Sequence, residues 1–557
     1  CCPELFPVYL RVLRNYNYPI LNSQKILMFI LYHHDSTLLL ILHKKYIINF
    51  MTRQPFFYDI TLRDGNQSLK KPWNLKEKEF IFDKLVKFGV QAVEAGFPAA
   101  SDMDFEAVKR LAQIADDNLV ISGLARAVEH DIETAVNAIS FSKKPRLHTF
   151  IAMSPFNMKY VLNKKPQEVR KTAVEAVAFA KEKIQKVSKQ GEVQFSVEHF
   201  GDCMENLDYV IDTLKDVVKA GATVINLPNT VERTRVKTFV DMVEKVYQAL
   251  PKDIMIAVHC HNDLGMATAA TIESYFAGAT QLECSLNGLG ERAGNTNMYE
   301  VAVGLHNSGV DVPLNLGEIY ELALVVSDMS KVEIPEKAPL IGPEALAHRS
   351  GIHQDGAVKT KDMEKGAYRP IHPTLIGRKD DEKIGFTSQS GKTAVFEIIS
   401  DAGYPITIQE AVRITPIVKE AAQKVGELPA RNIIDIYFNE IFNVKGDFRL
   451  VAFEKLAENM FNLKFFHKTE FFDMNAQGNG PLDACLSALK QAGYPQKLVD
   501  YEQYAVDGRI FGSGATAMTV IHFEDLDGRT ILARGKDEST LKANVKAIFN
   551  GLNLMSK

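Results

Sequence analysis

The sequence of 557 residues carries 65 Lys and Arg against 69 Asp and Glu, for a formal net charge of −4 at pH 7. Its 46% hydrophobic and 24% charged residues are typical of a globular protein and exclude a disordered, a collagen-like or a disulfide-framework chain. The charge balance argues against a nucleic-acid-binding protein, and six scattered cysteines predict a reducing cytoplasm rather than secretion.

Residues 1–50 differ in composition from the rest of the chain. Two apolar runs, Ile26–Tyr32 and Leu38–Leu42, are separated by polar residues, whereas a membrane-spanning helix needs about 20 mostly apolar residues. No small-residue cleavage site of a secretory signal is evident, and the stretch is poor in the Ser and Arg of transit peptides. We therefore expect no membrane segment, translation from Met51, and a preceding stretch that is a non-native or disordered extension.

Between residues 51 and 310, short β-rich runs alternate with amphipathic segments, as in a parallel sheet with crossover helices. The predicted strands are Phe56–Thr61, Ala92–Ala95, Leu119–Gly123, Leu147–Ala152, Val193–Glu198, Thr223–Leu227, Met255–His261 and Gln281–Leu286. Eight such units in roughly 250 residues predict an α/β fold, a closed (β/α)8 or TIM barrel, as the catalytic domain. The alternative, an open doubly wound sheet, needs a glycine-rich turn after the first strand, where Asp64–Gln67 contains one glycine.

Two histidines on the seventh predicted strand form a metal-binding pattern. His259 and His261 lie two residues apart, so their side chains project from the same face, at the strand end where barrels carry their chemistry. Asp64 after the first strand is the best-placed carboxylate, and two imidazoles with one carboxylate bind a divalent cation such as Mn²⁺, Mg²⁺ or Zn²⁺. Asn295 offers a further oxygen, directly or through water. The alternatives are packed histidines, and an ion pair of Asp64 with Arg63.

Several stretches of the sequence carry a family resemblance. Asp59–Gln67 and His259–Gly265 resemble the two signature stretches of the metal-dependent Claisen-condensing barrel enzymes. Taken with them, four further stretches resemble the 2-isopropylmalate synthase family: Glu94–Pro98, Gly123–Ala127, Asn287–Asn295 and Ser350–Gly356. The resemblance covers the chain from Met51 to its C-terminus, although the first two stretches also occur in homocitrate and citramalate synthases and in related lyases.

The resemblance implies an acyltransferase that condenses acetyl-CoA with 3-methyl-2-oxobutanoate and water, giving 2-isopropylmalate and CoA in the first committed step of leucine synthesis. A divalent cation would polarise the ketone, and Arg63 would add a donor to the oxyanion that forms. The alternatives are a citramalate synthase that uses pyruvate, a homocitrate synthase-like acyltransferase, and a lyase of the same barrel superfamily.

Roles for further residues also follow from the resemblance. The residues expected to contact the 2-oxo acid are His148, Ser196 and Thr230. Glu198 and His353 are both candidates for the base that removes a proton from the acetyl methyl group, and the sequence does not rank them. Glu291 and Arg292 are expected to form an ion pair that supports the Asn295 loop.

Residues 311–444 are predicted to be helical linker subdomains, with the loop-like stretch Arg369–Lys392 inside them. By resemblance, this region carries His353 and completes the active site of a partner subunit, which implies a homodimer. Gly391-Lys392-Thr393 is rejected as a nucleotide-binding loop, because its spacing from Gly385 exceeds the P-loop pattern and no apolar strand precedes it.

Residues 445–557 are predicted to be an α+β domain with an internal repeat of two β-rich units, each followed by a helix. The predicted strands are Asn462–Phe472, Ala505–Ile510, Ala517–Phe523 and Thr530–Gly535, and the helices are Pro481–Ala492 and Ser539–Leu552. The region resembles the family's leucine-sensing regulatory domain, which implies L-leucine as a feedback inhibitor. The alternative is a dimerisation module without a ligand, and Gly512–Ala515 departs from a leucine-binding pattern, so the effector stays open.

Overall fold

The computed structural model describes residues 54–363, 365–378, 385–506, 516–524, 528 and 530–556. The predicted extension 1–50, the predicted start at Met51 and the stretch Gly512–Ala515 lie outside the described residues. The chain divides into two compact units, of which the first ends at Ala345 and also contains Pro373–Asp380, whereas the second contains Leu346–His372 and Asp381–Lys557.

In the first unit, the described strands close into a parallel barrel in which β1 pairs with both β2 and β8. The strands are β1 Phe56–Asp59, β2 Ala92–Gly96, β3 Val120–Arg126, β4 Lys144–Ala152, β5 Glu192–Glu198, β6 Val224–Asn229, β7 Met255–Cys260 and β8 Gln281–Cys284. The helices are α1 Leu75–Phe88, α2 Asp102–Ile114, α3 Glu129–Ile139, α4 Pro155–Tyr160, α5 Pro166–Val187, α6 Leu207–Ala220, α7 Val236–Ala249, α8 Ala267–Ala277, α9 Met298–Asn307 and α10 Ile319–Ser330. The predicted (β/α)8 barrel is confirmed.

Helix α1 illustrates how local sequence sets these elements. Asn74 and Glu77 form a capping box, in which each side chain accepts a hydrogen bond from the other residue's backbone N–H, at 3.1 and 2.8 Å. Gly89 ends the helix in the left-handed region with φ of 96°, which costs glycine little. The buried apolar residues are Ile81, Phe82, Leu85 and Phe88, of which Leu85 follows Ile81 by four positions and Phe82 by three. This stripe gives the helix one face for the core.

The chain leaves β1 through a π turn, Thr61–Gly65, and not as a continued strand. The backbone N–H of Gly65 donates to the carbonyl of Ile60 at 3.1 Å, five residues back. The predicted extension of the first strand to Thr61 is therefore wrong. Arg63 and Asp64 lie side by side within this turn, at the carboxyl end of the barrel.

The second unit begins with helices and ends with two small sheets. Its helices are α11 Gly351–Lys359, α12 Lys392–Asp401, α13 Ile408–Val425 and α14 Ala430–Ile441. Two antiparallel three-stranded sheets follow, each with a helix after it: β9 Phe448–Ala457, β10 Met460–His467, β11 Glu470–Gln477 and α15 Pro481–Gln491, then β12 Lys497–Val506, β13 Thr516–Glu524, β14 Thr530–Asp537 and α16 Thr540–Met555. The predicted repeat is confirmed.

None of the helices described here or above is long and apolar enough to cross a membrane.

Two of the predicted strands in this region differ from the structure. Asn462–Phe472 is not one strand, because the chain reverses at Lys468, whose φ is 54°, and pairs β10 with β11. Ala505 lies at the end of β12, whereas residues 507–510 of the second predicted strand lie outside the described residues.

Buried asparagines on α16 join the last helix to the start of β9. The Asn553 side chain accepts from the Phe448 N–H at 2.8 Å and donates to the Phe448 and Val444 carbonyls at 2.8 and 3.0 Å. Asn550 similarly accepts from the Val444 N–H at 3.1 Å. These side chains supply hydrogen bonds to buried backbone groups that would otherwise lack a partner.

Replacing Asn553 by Ala is expected to lower the free energy of unfolding by about 2–4 kcal/mol, because buried backbone groups lose their partner. Urea-induced unfolding followed by circular dichroism measures the change. Lys542→Ala, at an exposed position of the same helix, is the control and should stay within about 0.5 kcal/mol of the parent. Equal stability of the two variants would contradict this role of Asn553.

Candidate active site at the barrel mouth

Three buried side chains converge at the carboxyl end of the barrel. His259 is the last residue but one of β7, His261 follows the strand, and Asp64 comes from the π turn. Their candidate ligand atoms all lie within 4.8 Å of one another. The Nε2 atoms of the two histidines are 3.2 Å apart, and Nε2 of His259 is 3.8 Å from Oδ2 of Asp64. The structure therefore brings together a group able to bind a metal ion.

The side chains around this group fit a divalent cation. Asn295 donates from Nδ2 to Oδ2 of Asp64 at 2.6 Å, and its Oδ1 is buried with no hydrogen-bond partner among the described residues. A buried amide oxygen without a partner costs free energy, unless a cation or a water is there to accept its lone pair. Two imidazoles, a carboxylate and an amide oxygen are a donor set for Mn²⁺, Mg²⁺ or Zn²⁺.

Arg63 is held between two carboxylates. Its Nη1 donates to Oδ1 of Asp64 at 2.8 Å and its Nε donates to Oε2 of Glu94 at 2.6 Å. Burial alone would raise the pKa of Glu94, but Arg63 and His148 more than offset it and hold that pKa well below its usual range. The ion pair of Arg63 with Asp64 thus exists beside the metal-binding geometry and is not an alternative to it.

His148 and Ser196 belong to the same hydrogen-bonded wall. The Nδ1 of His148 is 2.5 Å from Oε1 of Glu94, and its Nε2 is 2.6 Å from the Ser196 hydroxyl. Because an ionised carboxylate only accepts, Nδ1 of His148 donates in its contact with Glu94. Asn226 donates to the same hydroxyl oxygen at 2.8 Å. Both ring nitrogens of His148 are therefore engaged within the protein.

These residues line a cavity of about 240 Å³ at the barrel mouth. The sequence-predicted residues along its wall are Arg63, Asp64, His148, Ser196, Glu198, Thr230, His259 and His261. Apolar side chains of Leu124, Phe150 and Pro228 complete one part of the lining. The cavity thus combines charged donors with an apolar surface, as small-molecule sites do.

Glu198, at the end of β5, and Thr230, directly after β6, both face this cavity. Burial raises the pKa of Glu198. The Thr230 hydroxyl accepts from the backbone N–H of His199 at 2.9 Å, and His199 itself has a left-handed φ of 60°. Because that hydroxyl oxygen is acting as an acceptor, its own proton is available to a ligand.

His353 lies in the second unit, on α11, and not in the barrel. Its ring is exposed and stacks on Tyr368, with ring centroids 4.2 Å apart. Its assignment as a base stays a prediction.

Two buried carboxylates, Glu94 and Glu283, were not singled out by the sequence as site residues. Each is the only charged residue of its strand, β2 or β8. That pattern could have indicated a site, because a charge buried in a strand needs hydrogen-bonding partners. The expected ion pair of Glu291 with Arg292 is wrong, since Arg292 donates instead to Asp263 at 2.7 and 2.9 Å.

Comparisons with known proteins place the chain among described families. The HMGL-like family model matches residues 54–326, the model of the alpha-isopropylmalate synthase post-catalytic domain-like region matches 345–400, and that of the LeuA allosteric (dimerisation) domain matches 447–556. A solved HMG-CoA lyase from Brucella melitensis is 19% identical with a TM-score of 0.44, covering 50% of this chain and 100% of that chain.

Named relatives match over most of the chain. The 2-isopropylmalate synthase 2 of Leptospira interrogans is 55% identical over 372 residues, which are 67% of this chain and 86% of that protein. Proteins named 2-isopropylmalate synthase from Geobacillus sp. (strain WCH70) and Pyrococcus furiosus are 35% and 33% identical, covering 89% and 90% of this chain and 95% and 99% of their own length.

Replacing His259 by Ala is expected to lower the affinity for Mn²⁺ by orders of magnitude, because the cation loses one of its imidazole ligands. Equilibrium dialysis followed by elemental analysis measures bound metal per chain. His130→Ala, at an exposed position on α3, is the matched control and should bind as the parent does. Unchanged metal content in the His259 variant would refute the ligand assignment.

Proposed function

Because the chain belongs to the 2-isopropylmalate synthase family, we propose how its own residues carry out the family's reaction. The chain is an acyltransferase that condenses acetyl-CoA with 3-methyl-2-oxobutanoate and water to give (2S)-2-isopropylmalate and CoA, the first committed step of leucine biosynthesis. Relatives of that name along most of the chain, with the LeuA domain at its end, favour this activity over a citramalate synthase, a homocitrate synthase or a lyase.

We assign the binding of a divalent cation to Asp64, His259 and His261, with Asn295, which donates to Asp64, as a further oxygen donor. The convergence of Asp64, His259 and His261 on one cavity is the observation that carries the proposal. When bound, such a cation supplies Lewis acidity toward a 2-oxo acid, whose carboxylate and ketone oxygens can occupy its open positions. Mn²⁺ or Mg²⁺ stays our expectation ahead of Zn²⁺.

Arg63 provides the fixed positive charge of the site. Its Nε and Nη1 are committed to Glu94 and Asp64, whereas Nη2 makes no hydrogen bond with any described residue. That nitrogen is free to donate to the ketone oxygen as negative charge develops on it. A donor held in this way contributes a few kcal/mol to the transition state.

The cavity wall offers separate surfaces for the two ends of the 2-oxo acid. The apolar side chains of Leu124, Phe150 and Pro228 suit the isopropyl group. The Thr230 hydroxyl proton can donate to the substrate carboxylate. We also keep His148 and Ser196 as residues that contact the substrate, because both are polar side chains of the cavity wall.

Removal of a proton from the acetyl methyl group requires a base. The resulting enolate carbon bonds to the ketone carbon, while the ketone C=O π electrons move to its oxygen and give an alkoxide that takes up a proton. Water then cleaves the thioester to a carboxylate and releases CoA. Glu198 lines the cavity, and its raised pKa brings it closer to the strength that a general base needs near neutrality. This supports Glu198 in the role, with His353 kept as the second candidate.

The C-terminal region supports regulation. The match of residues 447–556 to the LeuA allosteric (dimerisation) domain is consistent with both a dimer and an effector site. We propose a homodimer with L-leucine as its feedback inhibitor. The cytoplasmic location stays a prediction.

A substrate panel tests the proposed activity. The kcat/KM value, followed by release of the CoA thiol, should be higher for 3-methyl-2-oxobutanoate than for pyruvate, because the smaller acid leaves the apolar wall unfilled. Addition of L-leucine should lower the rate. A preference for pyruvate would overturn the substrate assignment, and a rate that is indifferent to leucine would overturn the effector assignment.

Glu198→Gln is expected to lower kcat by about 10²–10⁴-fold, because the amide cannot accept the methyl proton. Only the deprotonated carboxylate is a base, so kcat/KM of the parent should fall as the pH decreases through the raised pKa of Glu198. Steady-state pH profiles of the parent, Glu198→Gln and His353→Gln measure both effects. Loss of activity in the His353 variant alone would transfer the role to His353.

A further inference from the structure

Glu283 is a carboxylate buried in the barrel, directly behind one of the metal-binding histidines. It lies on β8 and its side chain is completely buried. Its Oε2 is 3.2 Å from Nδ1 of His259. The opposite ring nitrogen of His259, Nε2, is the one that faces Asp64 and His261.

Amide side chains surround the Glu283 carboxylate with donors. Gln194 and Gln281 donate to Oε1 at 2.7 and 3.0 Å, and Asn226 donates to Oε2 at 3.1 Å. Three amide donors thus reach the two carboxylate oxygens, which is the environment that a buried ionised carboxylate requires. Glu283 is therefore placed to accept, and not to donate, toward the histidine.

The orientation of the two glutamine amides is itself determined by Arg146. This guanidinium is 1% exposed and donates from Nη1 to the carbonyl oxygen of Gln281 at 2.6 Å, while the Gln281 amide donates to the carbonyl oxygen of Gln194 at 2.9 Å. Both carbonyl oxygens are thus occupied, and both NH₂ groups are directed to Glu283. The buried side chains around Glu283 therefore offer it donors, so its carboxylate acts as an acceptor.

We infer that Glu283 is a positioning residue that keeps the proton of His259 on Nδ1, so that the Nε2 lone pair is directed at the cation. The inference rests on the proposed metal-binding role of Asp64, His259 and His261. His261 has no comparable partner, since its Nδ1 is buried without a hydrogen bond to any described residue. Glu283 therefore acts on one of the two imidazoles, by the general rule that a metal-bound histidine donates its other N–H to a fixed acceptor.

Glu283→Gln tests this role in the full-length protein. The amide has nearly the shape of the carboxylate but carries donors on one side, so it no longer selects the Nδ1–H form of His259. We expect the Kd for Mn²⁺, measured by competition with a chromogenic chelator, to increase about 10–100-fold. Glu232→Gln is the control: Glu232 is also buried in the barrel unit, accepts from the backbone N–H of Leu264 at 2.5 Å, and should leave the Kd unchanged.

A spectroscopic readout separates positioning from a structural effect. In the metal-free protein labelled with ¹⁵N-histidine, long-range ¹H–¹⁵N spectra should show His259 protonated on Nδ1 in the parent and shifted toward the Nε2–H form in Glu283→Gln, with the His259→Ala variant identifying the signal. If Glu283→Gln does not fold, the parent spectrum alone decides.

The outcomes distinguish this inference from the proposed function. An Nε2–H form of His259 in the parent, or an unchanged Kd in Glu283→Gln, would overturn the positioning role. Unchanged metal binding in His259→Ala would overturn the metal site itself.

Discussion

The arrangement of side chains at the mouth of the barrel depends on two negative charges buried inside it. Glu94 and Glu283 are completely buried, and an ionised carboxylate is tolerated there only when donors surround it. Arg63 and His148 supply the donors for Glu94, whereas amides and His259 supply them for Glu283. Four of these partners, Arg63, His148, Asn226 and His259, also face the cavity, and their orientation follows from that need.

The hydrogen bonds and ion pairs of the mouth form one continuous path around the barrel. The path runs through Asp64, Arg63, Glu94, His148, Ser196, Asn226, Glu283 and His259. It closes where Nε2 of His259 comes within 3.8 Å of Asp64. Such a network is cooperative, because each bond polarises the next in a site of low dielectric. A cavity built in this way keeps its donors in place before a substrate arrives.

Much of the fold and of the cavity could be predicted from the sequence, because strand periodicity and the rule that barrel chemistry sits at strand ends are both local signals. The carboxylates Glu94 and Glu283 could not be assigned, since their partners come from other strands and share no spacing with them. The hairpin at Lys468 was missed for a related reason. A lysine with φ of 54° occupies a turn position that Gly or Asn usually marks.

The π turn after β1 gives this site an unusual sensitivity to chain length. A π turn holds one residue more than an α turn closed by the same kind of backbone bond. Deleting a residue between Ile60 and Gly65 would let the chain close as an α turn and would rotate the following side chains by roughly 100°. Asp64 would then no longer face His259, which it now approaches within 3.8 Å. The length of this turn is therefore constrained as well as its residues. Among related sequences, single-residue insertions and deletions should be rarer here than in loops of equal exposure.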